Sequence, residues 1–237
     1  MSFEQKGQYR WVVCALLFFA TTVNYIDRQI LALIKEFLDA ELGWSNATFG
    51  WVNGAFQLSY AVGLLFFGWF VDRFGTKIGY ATSIVLWSIA AMSHALVGSV
   101  NGFFAARVFL GVSEGGNFPA AIKAVALWFP KKERAFATAI FNAGTNVGAI
   151  IAPAMIPAIA LTFGWRWAFI LAGLAGFVWL FFWFPMYDVP EKRKNLTKAE
   201  FELIHSDKDE GGIGGRPMGW TRAMKLPQTW SFLTAKF

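Results

Sequence analysis

The sequence has 237 residues, of which 56% are hydrophobic and only 15% are charged, whereas soluble domains usually carry about 25% charged residues. The net charge of +6 could indicate nucleic acid binding, but the charges lie in short gaps between long apolar runs, as in membrane proteins. This composition argues against a soluble domain and against nucleic acid as a partner, and it predicts that the chain lies in a lipid bilayer.

The long apolar runs predict six transmembrane helices. A spanning helix needs about 20 mostly apolar residues, and these runs reach that length without the alternating polarity of barrel strands. A polar stretch at 98–101 separates the third helix from the fourth. In chain order, the predicted helices cover residues 11–34, 47–71, 78–97, 102–127, 135–163 and 167–187. Residues 1–187 are therefore interpreted as a six-helix transmembrane bundle.

After the sixth helix the chain becomes polar, which predicts an interdomain loop over residues 188–226. Thr197 and Glu200 have the spacing of a capping box, and they predict a short amphipathic helix that runs toward Ile204. The glycine-rich segment 211–215 is interpreted as a flexible linker, because no strand precedes it and no Lys-Ser/Thr follows it. Residues 227–237 are apolar again and predict the start of a seventh helix. We therefore expect a C-terminal half of the same protein.

The distribution of Lys and Arg among the predicted loops sets the orientation. Fifteen of these residues lie on the side of the N-terminus, whereas the other side holds only Lys35 and Arg166. Because loops rich in Lys and Arg remain in the cytoplasm, the sequence predicts a cytoplasmic N-terminus and a cytoplasmic loop after the sixth helix.

Five ionisable residues fall inside the predicted helices, where each needs a partner or water. They are Asp27, Arg28, Arg107, Glu114 and Lys123. At the helical rise per residue, Asp27 lies roughly 24 Å from the inner face, Arg107 roughly 30 Å and Glu114 roughly 20 Å. Two complementary pairs are therefore within side-chain reach, Asp27 with Arg107 and Arg28 with Glu114.

Two interpretations of these charges remain open. The pairs could be fixed salt bridges that hold the first helix to the fourth, or they could line a cavity in which an anionic ligand competes for the arginines. Buried ion pairs stabilise little after desolvation, and the guanidinium fork matches a carboxylate, so we favour the cavity. A carboxylate that loses its arginine to the substrate would be ready to take a proton. The chain would then bind a small carboxylate and protons.

Other polar residues inside the predicted helices are weaker candidates for the same cavity. They are Tyr25, Tyr60, Asn142 and Asn146. Each could instead form hydrogen bonds between helices. We interpret His94 as a packing or interfacial residue.

Two pairs of glycines have the small-xxx-small spacing that allows close helix packing. They are Gly111 with Gly115 and Gly144 with Gly148.

The turn after the second predicted helix carries a spaced motif of glycine and charged residues. Its members are Gly68, Asp72, Arg73, Gly75 and Lys77. The spacing and the location resemble the signature of the major facilitator superfamily, although Thr76 stands where a basic residue is usual. In that family, the loop helps to latch the two halves of the transporter on the cytoplasmic side.

A finer resemblance lies in residues 24–28 and 114–119, which look like the anion:cation symporter branch of this superfamily. Residues 141–153 and 228–232 are similar to bacterial hexuronate transporters. The resemblance implies an all-α integral membrane fold of twelve helices in two halves, with this chain as the N-terminal half. It implies that each half is built from two inverted three-helix repeats. It also implies a bacterial inner-membrane location.

The resemblance also implies roles for residues at matching positions. Asp27 and Glu114 would be the protonatable pair, Arg28 would bind the substrate carboxylate, and Tyr25 and Tyr60 would line the sugar site. These roles describe a proton-coupled symporter of a hexuronate or another sugar acid that works by alternating access.

Two rival functions remain. An organophosphate antiporter of the same fold would favour a second cavity arginine in the seventh helix. A membrane enzyme or sensor is disfavoured, because the chain has only two histidines and no Ser-His-Asp set. The sequence therefore predicts no enzyme activity, no metal site and no cofactor.

Overall fold

The computed structural model describes residues 7–193, 196–206, 224–227 and 229–231. It divides the chain into two compact units, residues 1–204 and 205–237. The predicted linker at 211–215 and most of the predicted seventh helix at 227–237 lie outside the described residues. The division into a bundle, a loop and a seventh helix stays a prediction.

The described part of the first unit is built from helices. They are α1 (Tyr9–Leu33), α2 (Lys35–Leu42), α3 (Asn46–Phe74), α4 (Thr76–Ser93), α5 (Val100–Glu114), α6 (Asn117–Trp128), α7 (Lys131–Phe163), α8 (Trp165–Met186) and α9 (Lys198–His205). Helices α1, α3, α7 and α8, and α4 together with the short 3-10 turn His94–Leu96, are long and apolar enough to cross a membrane. The predicted all-helical membrane fold is confirmed.

The fourth predicted helix is not one continuous helix, and this part of the prediction is wrong. It is divided into α5 and α6 by a break at Gly115 and Gly116. Pro119 explains the break, because it has no N–H to donate to the carbonyl of Gly115, four residues earlier. Both segments are shorter than a full span, so the membrane is crossed by the two in succession.

Helix α2 was not predicted from the sequence. It follows α1 almost directly and ends at Gly43, which has φ of +60° and so takes the left-handed conformation that glycine adopts easily. Only Leu38 is buried along α2, and Lys35 pairs with Asp39 one turn later. A short, mostly polar helix of this kind lacks the long apolar run on which the prediction of spans depends.

Close contacts between helix backbones occur at the predicted glycine pairs. A Cβ added at Gly144 would lie 2.5 Å from the carbonyl oxygen of Phe18, and one at Gly148 would lie 2.8 Å from that of Thr22. A Cβ added at Gly115 would overlap the backbone of Gly63. These glycines therefore allow α7 to pack on α1 and α5 to pack on α3, as the spacing predicted.

We expect Gly115→Ala to destabilise the bundle, because the new methyl group must displace the α3 backbone. Overpacking of this kind typically costs about 1–3 kcal/mol. The matched control is Gly54→Ala on α3, where an added Cβ meets nothing within 4 Å. The thermal unfolding midpoints of the two purified variants, monitored by size-exclusion chromatography after heating, test whether Gly115→Ala is less stable than Gly54→Ala. Equal midpoints would contradict the proposed close packing.

His94 lies in the core, so of the two roles expected for it, packing and an interfacial position, the structure supports packing. It is fully buried, its ring stacks on Phe169 with 4.7 Å between the centroids, and its Nδ1 lies 2.8 Å from the carbonyl oxygen of Ala90. This packing holds the end of α4 against α8.

The predicted capping box is half formed. The backbone N–H of Glu200 donates to Thr197 Oγ1 at 3.2 Å and so begins α9 as predicted. The Glu200 carboxylate instead accepts a hydrogen bond from the backbone N–H of Arg10, at 3.0 Å. Ile204 is buried in the core, so the apolar side of α9 packs on the bundle.

Candidate functional site

The centre of the candidate site is an ion pair between α1 and α5. Arg28 Nε donates to Glu114 Oε2 at 2.7 Å, which is the second of the two pairs predicted from depth. The Glu114 side chain is fully buried, whereas 21% of the Arg28 side chain is exposed. The pair therefore has one side closed by protein and one side open, and the open side belongs to the arginine.

Aromatic rings of α3 hold the Arg28 guanidinium in place. Its central carbon lies 4.2 Å from the centroid of Tyr60 and 5.5 Å from that of Phe56. These distances are within the range of cation–π attraction. Arg28 Nη2 is buried and has no hydrogen-bond partner among the described residues, so the site holds an unsatisfied donor.

Asp27 and Arg107 are both almost completely buried, at 1% exposure each, but the structure does not pair them. Within the described residues, neither oxygen of Asp27 has a hydrogen-bond partner, and Arg107 Nε and Nη2 also lack one. The guanidinium of Arg107 lies 5.6 Å from the ring centroid of Phe56. The depth argument placed the two residues at similar levels but could not fix the direction of their side chains.

The other polar candidates are not all brought to this ion pair. Tyr60 contacts Arg28, and Tyr25 is half-buried on α1, where its Cβ packs beside Gly148. Asn142 and Asn146 lie on α7, two residues from Gly144 on either side. Residues two positions apart on a helix point roughly 200° apart, so both asparagines face away from the surface that contacts α1.

The motif covers the last turns of α3, which hold Gly68, Asp72 and Arg73, and the junction with α4, and it has its own ion pairs. Gly75 has φ of +83°, which favours glycine at the junction of α3 and α4. Lys123 on α6 donates to Asp72 Oδ1 at 2.7 Å and to the carbonyl of Val71 at 3.0 Å. Lys77 pairs with Asp188 Oδ2 at 3.0 Å. Lys123, for which the sequence suggested no partner, thus joins α6 to the end of α3.

The environment of Asp188 combines opposing effects. Partial burial raises the pKa of this carboxyl, but the hydrogen bonds from Lys77 and from the backbone of Val189 lower it, and the net pKa lies below the ordinary value. The ion pair with Lys77 is therefore kept at neutral pH.

A second charged cluster, which sequence reasoning missed, lies where α1 begins. Arg10 Nε donates to Glu133 Oε2 at 2.8 Å, and Arg10 Nη1 donates to Glu200 Oε1 at 3.3 Å. The cluster connects α1, α7 and α9. No spacing signal identifies it, because its three members are more than 60 residues apart in the chain.

Comparison with known proteins identifies the family. The family model described as Major Facilitator Superfamily matches residues 17–237. The hexuronate transporter of Escherichia coli K12 is 36% identical over 195 residues, which make up 82% of this chain and 45% of that protein. The galacturonate transporter of Dickeya chrysanthemi is 30% identical over 238 residues, covering 99% of this chain and 68% of that protein.

The fold has a solved counterpart. A bacterial homolog of the human lysosomal transporter Spinster, in an inward-facing and occupied conformation, superposes with a TM-score of 0.69 at 22% identity, over 81% of this chain and 47% of that one. The chain thus spans about half the length of the E. coli relative and of this structure. With its helical membrane fold and a family match across most of its length, the chain belongs to the Major Facilitator Superfamily.

Proposed function

We propose that the whole protein is a secondary active transporter that carries a hexuronate or a related sugar acid together with protons by alternating access. The chain supplies the N-terminal half, and a C-terminal half closes the site from the other side. Arg28 binds the substrate carboxylate, and Glu114 and Asp27 carry the coupled protons. Tyr25 and Tyr60 are proposed to line the substrate path beside α1, and Asn142 and Asn146 to line it from the face of α7 that points away from α1. Superfamily membership argues against the membrane enzyme.

The observation that carries this proposal is the asymmetry of the Arg28–Glu114 pair. The arginine side chain is partly exposed and its buried Nη2 has no hydrogen-bond partner among the described residues, whereas the carboxylate is fully buried. An anion that enters from the open side meets the guanidinium before it meets the carboxylate. The names of the two curated relatives, a hexuronate and a galacturonate transporter, support a sugar acid as this anion.

Coupling follows from competition for the arginine. When the substrate carboxylate takes the N–H groups of Arg28, Glu114 loses its only ion-pair partner among the described residues. A buried carboxylate without a cation is costly in its charged form, so Glu114 binds a proton. When that proton leaves, Glu114 recovers Arg28 and the substrate is released. Asp27, buried beside this pair, is the second proton carrier.

The function can be tested on the whole protein in liposomes. We expect an inward proton gradient to drive accumulation of galacturonate or glucuronate, and a protonophore to abolish it. Liposomes loaded with inorganic phosphate are the control for the organophosphate antiporter. Uptake that requires internal phosphate and ignores the protonophore would overturn the proposed symport.

We further propose that the N-terminus faces the cytoplasm of a bacterial inner membrane. Cys14 is the only cysteine and is buried, so Cys14→Ser provides a background for labelling. In intact cells, an impermeant maleimide should react with Ser45→Cys, at the start of α3, and not with Lys192→Cys, after α8. Permeabilised cells, in which both should react, are the control. The reverse pattern in intact cells would invert the orientation.

A further inference from the structure

An apolar groove runs between α1 and α8 and encloses a cavity of about 430 Å³. Each helix contributes five apolar residues with the same spacing, from Val12 to Val23 on α1 and from Ala175 to Met186 on α8. Eleven residues of helix extend roughly 17 Å, so the groove follows both helices over a large part of a membrane leaflet.

The groove is built into the contact between the two helices. Trp179 Nε1 donates to the carbonyl of Leu16 at 2.8 Å and fixes the floor. Ala15 and Ala175 are too small to fill the space above it. On the rim, Phe19 is 58% exposed and Val178 is 59% exposed, so the groove opens to the outside of this bundle. An apolar opening on the outside of a membrane bundle faces lipid chains.

One end of the groove carries a positive charge. Arg193 Nη1 donates to the carbonyl of Pro185 at 2.7 Å, next to Met186, and its guanidinium lies 4.6 Å from the ring centroid of Tyr9. The Tyr9 hydroxyl donates to the carbonyl of Met186 at 2.7 Å and closes the same end. No carboxylate of the described residues lies within ion-pair distance of Arg193. Tyrosine and arginine beside a helix end mark the level of the lipid headgroups.

We propose that this groove binds an anionic phospholipid, with one acyl chain between α1 and α8 and its phosphate beside Arg193. The apolar lining matches the chain, and the charge of Arg193, which has no carboxylate partner among the described residues, matches the headgroup. Basic pockets between transmembrane helices at this level favour anionic headgroups. A zwitterionic lipid brings its own cation and gains less from Arg193. The site is separate from the Arg28–Glu114 pair and does not depend on what the protein transports.

The test uses the whole protein in liposomes with phosphatidylglycerol that carries a photoactivatable diazirine in the middle of one acyl chain. After illumination, mass spectrometry measures the labelled peptides of α1 and α8. We expect about fivefold more labelling than with phosphatidylethanolamine of the same chains, which is the factor expected for one basic side chain at an anionic surface.

Two variants separate the headgroup from the chain. Arg193→Gln should remove the preference for phosphatidylglycerol, whereas Arg193→Lys should keep it. Ala15→Phe should fill the groove and reduce labelling by both lipids. The matched controls are Lys132→Gln, at an exposed basic residue of α7, and Leu174→Phe, at a residue of α8 that does not line the groove. Both controls should label like the unaltered protein.

Three results would overturn the proposal. One is equal labelling by the two lipids, and another is a preference that survives Arg193→Gln in protein with an unchanged unfolding midpoint. The third is the absence of label from α1 and α8, which would mean that another segment of the protein covers the groove. If Arg193→Gln does not fold, loss of the preference in Arg193→Lys would equally contradict a site that depends on charge.

Discussion

Replacing Arg28 with Ala is expected to abolish substrate binding by the whole protein. The change removes the donor proposed to bind the carboxylate and leaves Glu114 buried without its ion-pair partner. Removing one member of a buried, hydrogen-bonded charge pair at a binding interface, here the proposed pair between Arg28 and the substrate carboxylate, costs roughly 2–5 kcal/mol. That cost corresponds to a loss of affinity of at least about 30-fold. Isothermal titration of the purified protein with galacturonate measures this loss.

Two further variants help to interpret the loss of affinity in Arg28→Ala: Arg28→Lys tests the role of the guanidinium shape, and Arg166→Ala is the control. Lysine keeps the charge but lacks the planar fork, so Arg28→Lys should recover only part of the affinity. Arg166 forms a half-exposed ion pair with Glu41, with 47% of its side chain exposed, and its removal should leave binding unchanged. Full affinity in correctly folded Arg28→Ala would exclude Arg28 from the substrate site.

The second large effect is expected from neutral replacements of the two buried carboxylates. Glu114→Gln and Asp27→Asn resemble the protonated side chains, so both variants should still bind substrate, because Arg28 remains. They should nevertheless lose proton-driven accumulation, because a permanently neutral group cannot release a proton on the inside. Counterflow exchange needs no net proton movement and should survive better than uptake. Parallel uptake and counterflow assays in liposomes measure the separation.

The same experiment distinguishes coupling from a fixed salt bridge. If the pair only holds α1 to α5, Glu114→Gln should lower the folded yield. The exchanged pair, Arg28→Glu with Glu114→Arg, should then restore both yield and uptake. Full proton-driven accumulation in both neutral variants would mean that these carboxylates are structural.

Much of this arrangement could be predicted from the sequence because membranes limit the options. A span needs a long apolar run, and a charge inside a span stands out against it. Counting the rise along two helices placed Arg28 and Glu114 at compatible depths, and the structure joins them at 2.7 Å. The glycine pairs were recognisable because close packing requires small residues at a fixed spacing.

The sequence could not predict the directions of side chains or the ion pairs between residues that are far apart in the chain. The same depth argument paired Asp27 with Arg107, but depth does not determine the direction of a side chain. The cluster of Arg10, Glu133 and Glu200 and the pair of Lys123 with Asp72 join segments that are far apart in the chain. The break after Glu114 did have a local signal in Pro119, which the apolar run concealed.

The break between α5 and α6 divides the fourth span into two helical segments. Glu114 is the last residue of α5, and Lys123 lies on α6 and pairs with Asp72 in the last turn of α3. The helical hydrogen bond between Gly115 and residue 119 is missing, so the span can kink between α5 and α6, and Gly115 packs directly against the backbone of Gly63 at this point. The charges at the centre of the membrane and the ion pairs at its surface therefore lie on separate helical segments, α5 and α6. A change in the angle between α5 and α6 would change the distance between these two groups of charges, and it would have to displace the α3 backbone that packs against Gly115.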